Sequence, residues 1–198
     1  MQDVSSIQTA WAEANYTLKD KQQKAAFEML IKQADAVVSQ YPDSAEVLIW
    51  RGIVQSSYAG AKGGLGALSL VKAARADFEK ALDINDRALQ GSAYTSLGTL
   101  YFKVPGWPLG FGDDDKAESL LKKALTINPD GIDSNYFYGQ FLLDKHELKQ
   151  AEQALLRAQQ APARPDRPLA DQGRQQEIKQ ALQQVRYQLR SNHAGIAD

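Results

Sequence analysis

Three stretches of the chain carry side chains that could do chemistry. Asp113, Asp114 and Asp115 directly follow Gly112. A calcium loop sets its oxygen ligands on alternate positions and closes on a bidentate glutamate, whereas consecutive aspartates before a helical run read as a cap, here Asp115 with Glu118 three residues on. Lys62 stands among Gly60, Gly63, Gly64 and Gly66. A phosphate-cradling loop places its lysine after the last glycine, between a strand and a helix; Lys62 precedes Gly63 and no strand is predicted, so a tight bend is expected instead. Two histidines, His146 and His193, are too few for a histidine metal centre. With no cysteine, disulfides, thiolate metal sites and a cysteine nucleophile are excluded. No nucleophile has a base at a readable spacing. The sequence thus predicts neither catalytic nor metal-binding residues, and it implies no cofactor.

The elements that must position any site are helical and repeated. Leu97, Gly98 and Tyr101, then Ala117, Leu121, Ala124 and Pro129, are echoed by Tyr138, Gly139 and Leu142, then Ala151, Leu155, Ala158 and Pro162. From Gly139 to Ala158 is 19 residues and from Ala124 to Gly139 is 15, a period of 34. Upstream, Val37 to Gly52 is 15 and Ala81 to Gly98 is 17, while Gly52 to Ala81 is 29 and Gly98 to Ala124 is 26. The links between units keep their length, and the excess lies inside the second and third units. A glycine inside a helix costs about 1 kcal/mol relative to alanine, so Gly52, Gly98 and Gly139 are expected to permit close helix approach, with Ala81, Ala124 and Ala158 opposite.

These spacings resemble the tetratricopeptide repeat family, whose unit is a helix hairpin with small residues at the crossing. The resemblance covers roughly residues 45–161 and implies an all-α fold, a right-handed α-solenoid of tetratricopeptide hairpins with a C-terminal capping helix. The expected divisions of this single domain are a degenerate first hairpin at 3–44, a unit with a glycine-rich insertion at 45–88, a unit with a Gly/Pro/Trp insertion at 89–130, a regular unit at 131–161 and a capping helix at 169–190. Asp43 with Glu46 is expected to box the start of a helix over 45–58. The stripe Ile178, Ala181, Leu182, Val185 and Leu189 suits a cap, and disorder is expected from Ser191.

Composition limits the partners. The 198 residues carry 23 basic and 24 acidic side chains, a net charge of -1, and 43% apolar residues. This is enough apolar material for a continuous core and gives no electrostatic footprint for nucleic acid. No apolar run is long enough to span a membrane. Met1 is followed by Gln2, Asp3 and Val4, with no signal segment; a cytoplasmic protein and a mature secreted start with Met1 placed before it both fit.

The concave face of the resembled fold maps onto Ile49, Ile53 and Ser56; Thr95, Thr99, Phe102 and Lys103; and Tyr136, Gln140, Leu143 and Asp144. By position Tyr138 packs and Tyr136 is free to meet a ligand. The set lacks the lysine and asparagine clamp by which similar chaperone cofactors hold acidic C-terminal peptides. The insertion Pro105, Gly106, Trp107, Pro108, Leu109, Gly110, Phe111, Gly112 alternates turn residues with large apolar ones, so an ordered loop with interface anchors at Trp107 and Phe111 is expected. With Gly98, Tyr101 and Ala117, it is similar to the insertion in the T component of tripartite ATP-independent periplasmic transporters. That resemblance implies association with a periplasmic solute-binding protein in a bacterium.

The expected function is a non-catalytic protein-binding scaffold, a periplasmic adaptor, with Lys62, Thr99, Lys103, Trp107, Phe111, Tyr136 and Gln140 contacting a protein or peptide. Self-association stays open, as does a cytoplasmic location. The alternative is a carrier of a small organic acid or lipid, with a pocket under the loops lined by Tyr58, Lys62, Trp107 and Tyr136.

Overall fold

The computed structural model describes residues 2–194. Among these the chain forms α1 (Gln2–Tyr16), α2 (Asp20–Gln40), α3 (Ala45–Lys62), α4 (Leu65–Asn85), α5 (Ser92–Lys103), α6 (Asp114–Ile127), α7 (Ile132–Asp144), α8 (Leu148–Gln159) and α9 (Pro168–Ala194). The fold is all-α. Successive helices pair as hairpins, α1 with α2, α3 with α4, α5 with α6 and α7 with α8, and α9 packs on α8.

Prolines and side-chain caps set the helix ends. Pro42, Pro129 and Pro162 lie in the links, and Pro168 opens α9, where its missing N–H is not needed. Two caps differ from expectation by one or two residues. Ser44, not Asp43, accepts from the Val47 amide at the start of α3, and its hydroxyl meets Glu46 at 3.0 Å. Asp113, not Asp115, caps α6, accepting from the Lys116 amide at 3.1 Å. The cap goes to the residue whose backbone is still extended (φ -158°, ψ 107° at Asp113), which leaves Asp114 and Asp115 in the first turn against the helix dipole.

The glycine-rich insertion is mostly helix. α3 continues to Lys62 and α4 starts at Leu65, leaving only Gly63 and Gly64, both at positive φ, as the turn. The second insertion is an ordered loop, tied by the Gly112 amide donating to the Pro105 carbonyl at 2.9 Å and the Asp113 amide to the Tyr101 carbonyl at 2.9 Å. Phe111 holds it inward, 5.6 Å from the Tyr101 ring and 5.0 Å from the Arg75 guanidinium.

At the helix crossings each glycine seats a large side chain. A Cβ added at Gly139 would lie 2.8 Å from Leu155 Cγ, one at Gly98 2.9 Å from Leu121 Cγ, and one at Gly52 2.5 Å from Phe78 Cε1. The residue opposite is therefore the one three before the expected alanine, one helical turn earlier, in all three hairpins. Phe78, Leu121 and Leu155 are fully buried, and the space that receives them is the missing glycine side chain.

The core has two parts. One runs from α3 through α8 and takes in Ile178, Ala181, Leu182 and Val185 of α9. The other joins α1, α2 and α3 around Trp11, Phe27 and Trp50 and includes Ala170. Helix α9 thus belongs to both: its later turns cover α8, while its first turns reach back to α1. Gly173 makes that contact, since a Cβ there would overlap the Tyr16 ring, and the Tyr16 hydroxyl donates to Glu177 at 3.3 Å. The capping helix therefore also closes the concave side. It is helical to Ala194, past the onset of disorder expected at Ser191; the rest of that tail, residues 195–198, lies outside the described residues. No described helix is long and apolar enough to cross a membrane.

Candidate functional site

Closure by α9 turns the concave face into a groove with two compartments. The inner one, about 220 Å³, is walled by Trp11, Ile53, Phe78, Leu100 and Phe137, with the hydroxyl residues Ser56, Ser57, Ser92, Thr95, Ser96 and Thr99. The outer one, about 530 Å³, has a mixed lining, with Leu89, Ile132 and Pro162 beside the polar residues Gln90, Asn128, Asp130 and Asp166. Trp50, Ser92, Thr95, Asp133 and Arg167 line both.

A charged cluster joins the segment before α9 to α7 and to α9 itself. Arg164 meets Asp133 at 2.7 Å and Asp171 at 2.6 Å, while Arg174 meets Asp133 at 2.8 Å and Glu177 at 2.6 Å. Burial opposes the charge on Asp133, yet Arg174, Arg164 and Arg167 outweigh it and hold the carboxyl below the usual range. Burial likewise opposes the charge on Arg174, and Asp133 more than restores it. Arg167 differs. Its guanidinium lies 4.9 Å from the Trp50 ring centroid, and burial followed by the neighbouring Arg164 charge pushes its pKa down. Its Nε and the Trp50 Nε1 are both buried without an acceptor.

A strained turn also lines the outer compartment. Leu89 and Gln90, at φ 49° and 57°, adopt left-handed backbone in the link before α5, at a cost of about 1–3 kcal/mol each. Gln90 Oε1 there accepts from Asn128 Nδ2 at 3.0 Å, joining this link to the next one.

A model of the tetratricopeptide repeat family matches residues 109–172, from the second insertion through α6, α7 and α8 into α9. Residues 109–172 therefore carry the tetratricopeptide pattern. No curated protein matches it. Among solved structures it is similar to the crystal structure of MamA, at 17% identity over 88% of this chain and 95% of that one with a TM-score of 0.48. A second MamA crystal structure is similar at 18% identity over 93% and 91% of the two chains, with a TM-score of 0.47.

Within the hairpins the expected site residues fall in different places. Thr99 lines the inner compartment with Thr95, to whose carbonyl its hydroxyl donates at 2.7 Å. Lys103 is exposed, its ammonium 4.9 Å from the Phe102 ring centroid. Lys62 is exposed, 5.3 Å from the Tyr58 ring centroid. Trp107 is 90% exposed, whereas Phe111 is half-buried and holds its own loop. Gln140 is half-buried and lines neither compartment.

Tyr136 is not free to meet a ligand. It is buried under the Arg174 guanidinium, 4.5 Å from its ring centroid, and burial raises its pKa, while Tyr138 stays half-buried. The groove positions of α7 are Asp133 and Phe137. Ile49, expected on the concave face, is fully buried in the core. Tyr58, Lys62, Trp107 and Tyr136, grouped around one expected pocket, line neither groove compartment nor the cavity beneath the second loop.

Asp113 is spent as a cap, and among the described residues no cluster of three His, Asp or Glu side chains is placed to hold a metal. The repeat pattern does not single out Trp50, Arg164, Arg167 or Arg174. One signal was present: Ala170, Arg174, Ile178 and Ala181 follow at helical steps, putting an arginine on the inward stripe of α9.

Proposed function

We propose that this tetratricopeptide chain is a protein-binding scaffold whose groove between α3, α5, α7 and the start of α9 receives an extended segment of a partner. The observation that carries this reading is the groove itself: an apolar inner compartment lined also by hydroxyls and continuous with an outer one of mixed polar and apolar lining. Such a surface can take side chains and backbone polar groups alternately, as an extended peptide presents them. The setting proposed is a bacterial periplasm, on the likeness of the Gly/Pro insertion to that of the transporter T components.

A photo-crosslinking residue at Thr99, inside the groove, is expected to give one discrete protein adduct in cells, and the same residue at Met29, 73% exposed on α2, none. Equal adducts at both positions, or none at Thr99, would count against a groove-based scaffold. Recovery of the adduct in a periplasmic fraction tests the setting.

A further inference from the structure

Three arginines line the groove, and two are already committed. Arg164 and Arg174 share Asp133 and take Asp171 and Glu177 as second partners. Among the described residues Arg167 has no carboxylate partner, and its Nε is a buried donor without an acceptor. The ring it lies on, Trp50, carries a second such donor in its Nε1. Nearly all buried N–H groups in folded proteins find an acceptor, so two unmet donors on neighbouring residues that both line the groove mark a place where an acceptor belongs. The third buried polar atom without a partner, Gln55 Oε1, is itself an acceptor, and Gln55 lines neither compartment.

Resting on the groove as the binding face, we propose that Arg167 and Trp50 form an anion site for a carboxylate carried on an apolar group. The charge around the groove favours a single negative charge on the ligand. One guanidinium is uncommitted, and Asp130, Asp133 and Asp166 line the outer compartment, where a phosphate dianion would meet repulsion that a carboxylate meets less. The geometry agrees. The guanidinium over the Trp50 ring is itself planar, and its N–H fork matches the two oxygens of a carboxylate. The apolar group enters the inner compartment among Ile53, Phe78, Leu100 and Phe137. The site is made by the segment before α9 and α3, not by lysine and asparagine side chains of the hairpins.

Two sources supply this chemistry: the C-terminus of an extended peptide, whose preceding residues lie in the outer compartment, and a free organic acid held in the inner one. Calorimetric titration of the full chain separates them with three probes: an N-acetylated triglycyl-phenylalanine peptide with a free carboxylate, the same peptide as its C-terminal amide, and 3-phenylpropionate. At least one acid is expected to bind wild type, at least about tenfold more weakly to Arg167→Gln, with Arg167→Lys between; the amide is expected to bind no better than the acid does to Arg167→Gln. Binding of the peptide acid alone assigns a chain terminus, and binding of phenylpropionate assigns a free acid. The acid and amide comparison on wild-type protein requires no variant to fold. No binding by either acid, equal binding of acid and amide, or acid binding indifferent to Arg167→Gln overturns the site. Thr99 adducts that persist in Arg167→Gln beside any of those results would leave the scaffold standing without it, whereas acid binding without Thr99 adducts would remove the scaffold and keep the site.

Discussion

The Arg167 guanidinium lies over Trp50, 4.9 Å from the ring centroid, and each residue keeps a buried N–H without an acceptor. An arginine in that position contributes little to the folded state, because the stacking gain of about 0.5–2 kcal/mol is offset by unmet donors costing about 1–3 kcal/mol. Arg167→Gln is therefore expected to change unfolding free energy by no more than about 1 kcal/mol in either direction. Arg164→Gln strips partners from Asp133 and Asp171 and is expected to lose about 1–3 kcal/mol. Denaturant melts of the two variants check the contrast; equal losses would mean Arg167 is structural.

Asp133 ties α7 to the arginines and gives stability a pH dependence. Its folded pKa is depressed below the ordinary carboxylate value near about 3.9. Its contribution is thus present above that value and fades as pH falls through it toward the folded pKa. Asp133→Asn is expected to be less stable than wild type by about 1–3 kcal/mol at pH 7, with the gap narrowing below about pH 4. A gap that stays constant down to pH 2.5 would place the carboxylate outside this linkage.

Gly173 and Gly60 are both helical glycines in different surroundings. A Cβ at Gly173 overlaps the Tyr16 ring, while one at Gly60 meets nothing. Gly173→Ala is expected to lower the melting temperature by about 2–10 °C through overpacking, and Gly60→Ala to leave it unchanged or slightly raised. Gly139→Leu, driven into Leu155, is expected to cost about 1–3 kcal/mol. If Gly173→Ala melts like wild type, α9 does not close on α1 as described.

The two large aromatics of the second loop have opposite roles. Phe111 is held between Tyr101 and Arg75, so Phe111→Ala is expected to cost about 1–2 kcal/mol and to raise proteolysis within the loop. Trp107 projects into solvent, so Trp107→Ala is expected to leave stability within about 0.5 kcal/mol. Limited proteolysis of both variants decides.

The hairpins were legible because small residues at fixed local spacing mark where helices cross, and that spacing survives the insertions. Which residue faces each glycine was misplaced by one turn, since Phe78 and Ala81 lie on the same helix face and spacing alone does not separate them. On α7 the groove stripe runs through Asp133 and Phe137 rather than Tyr136 and Gln140. One residue rotates a helix face by about 100°, and the repeat pattern does not fix rotation that finely. The reach of α9 to α1 depends on partners 161 residues apart, Tyr16 and Glu177, and no local pattern encodes it. Arg174 was visible as a charge on an apolar stripe, but its partners were not.

The most direct test is the affinity of the partner recovered through Thr99, measured for wild type and for Ser96→Trp, which fills the inner compartment. The groove account predicts that Ser96→Trp, with a melting temperature within a few degrees of wild type, loses binding by at least about tenfold. Unchanged affinity in that folded variant would place the partner elsewhere on the molecule and contradict the account.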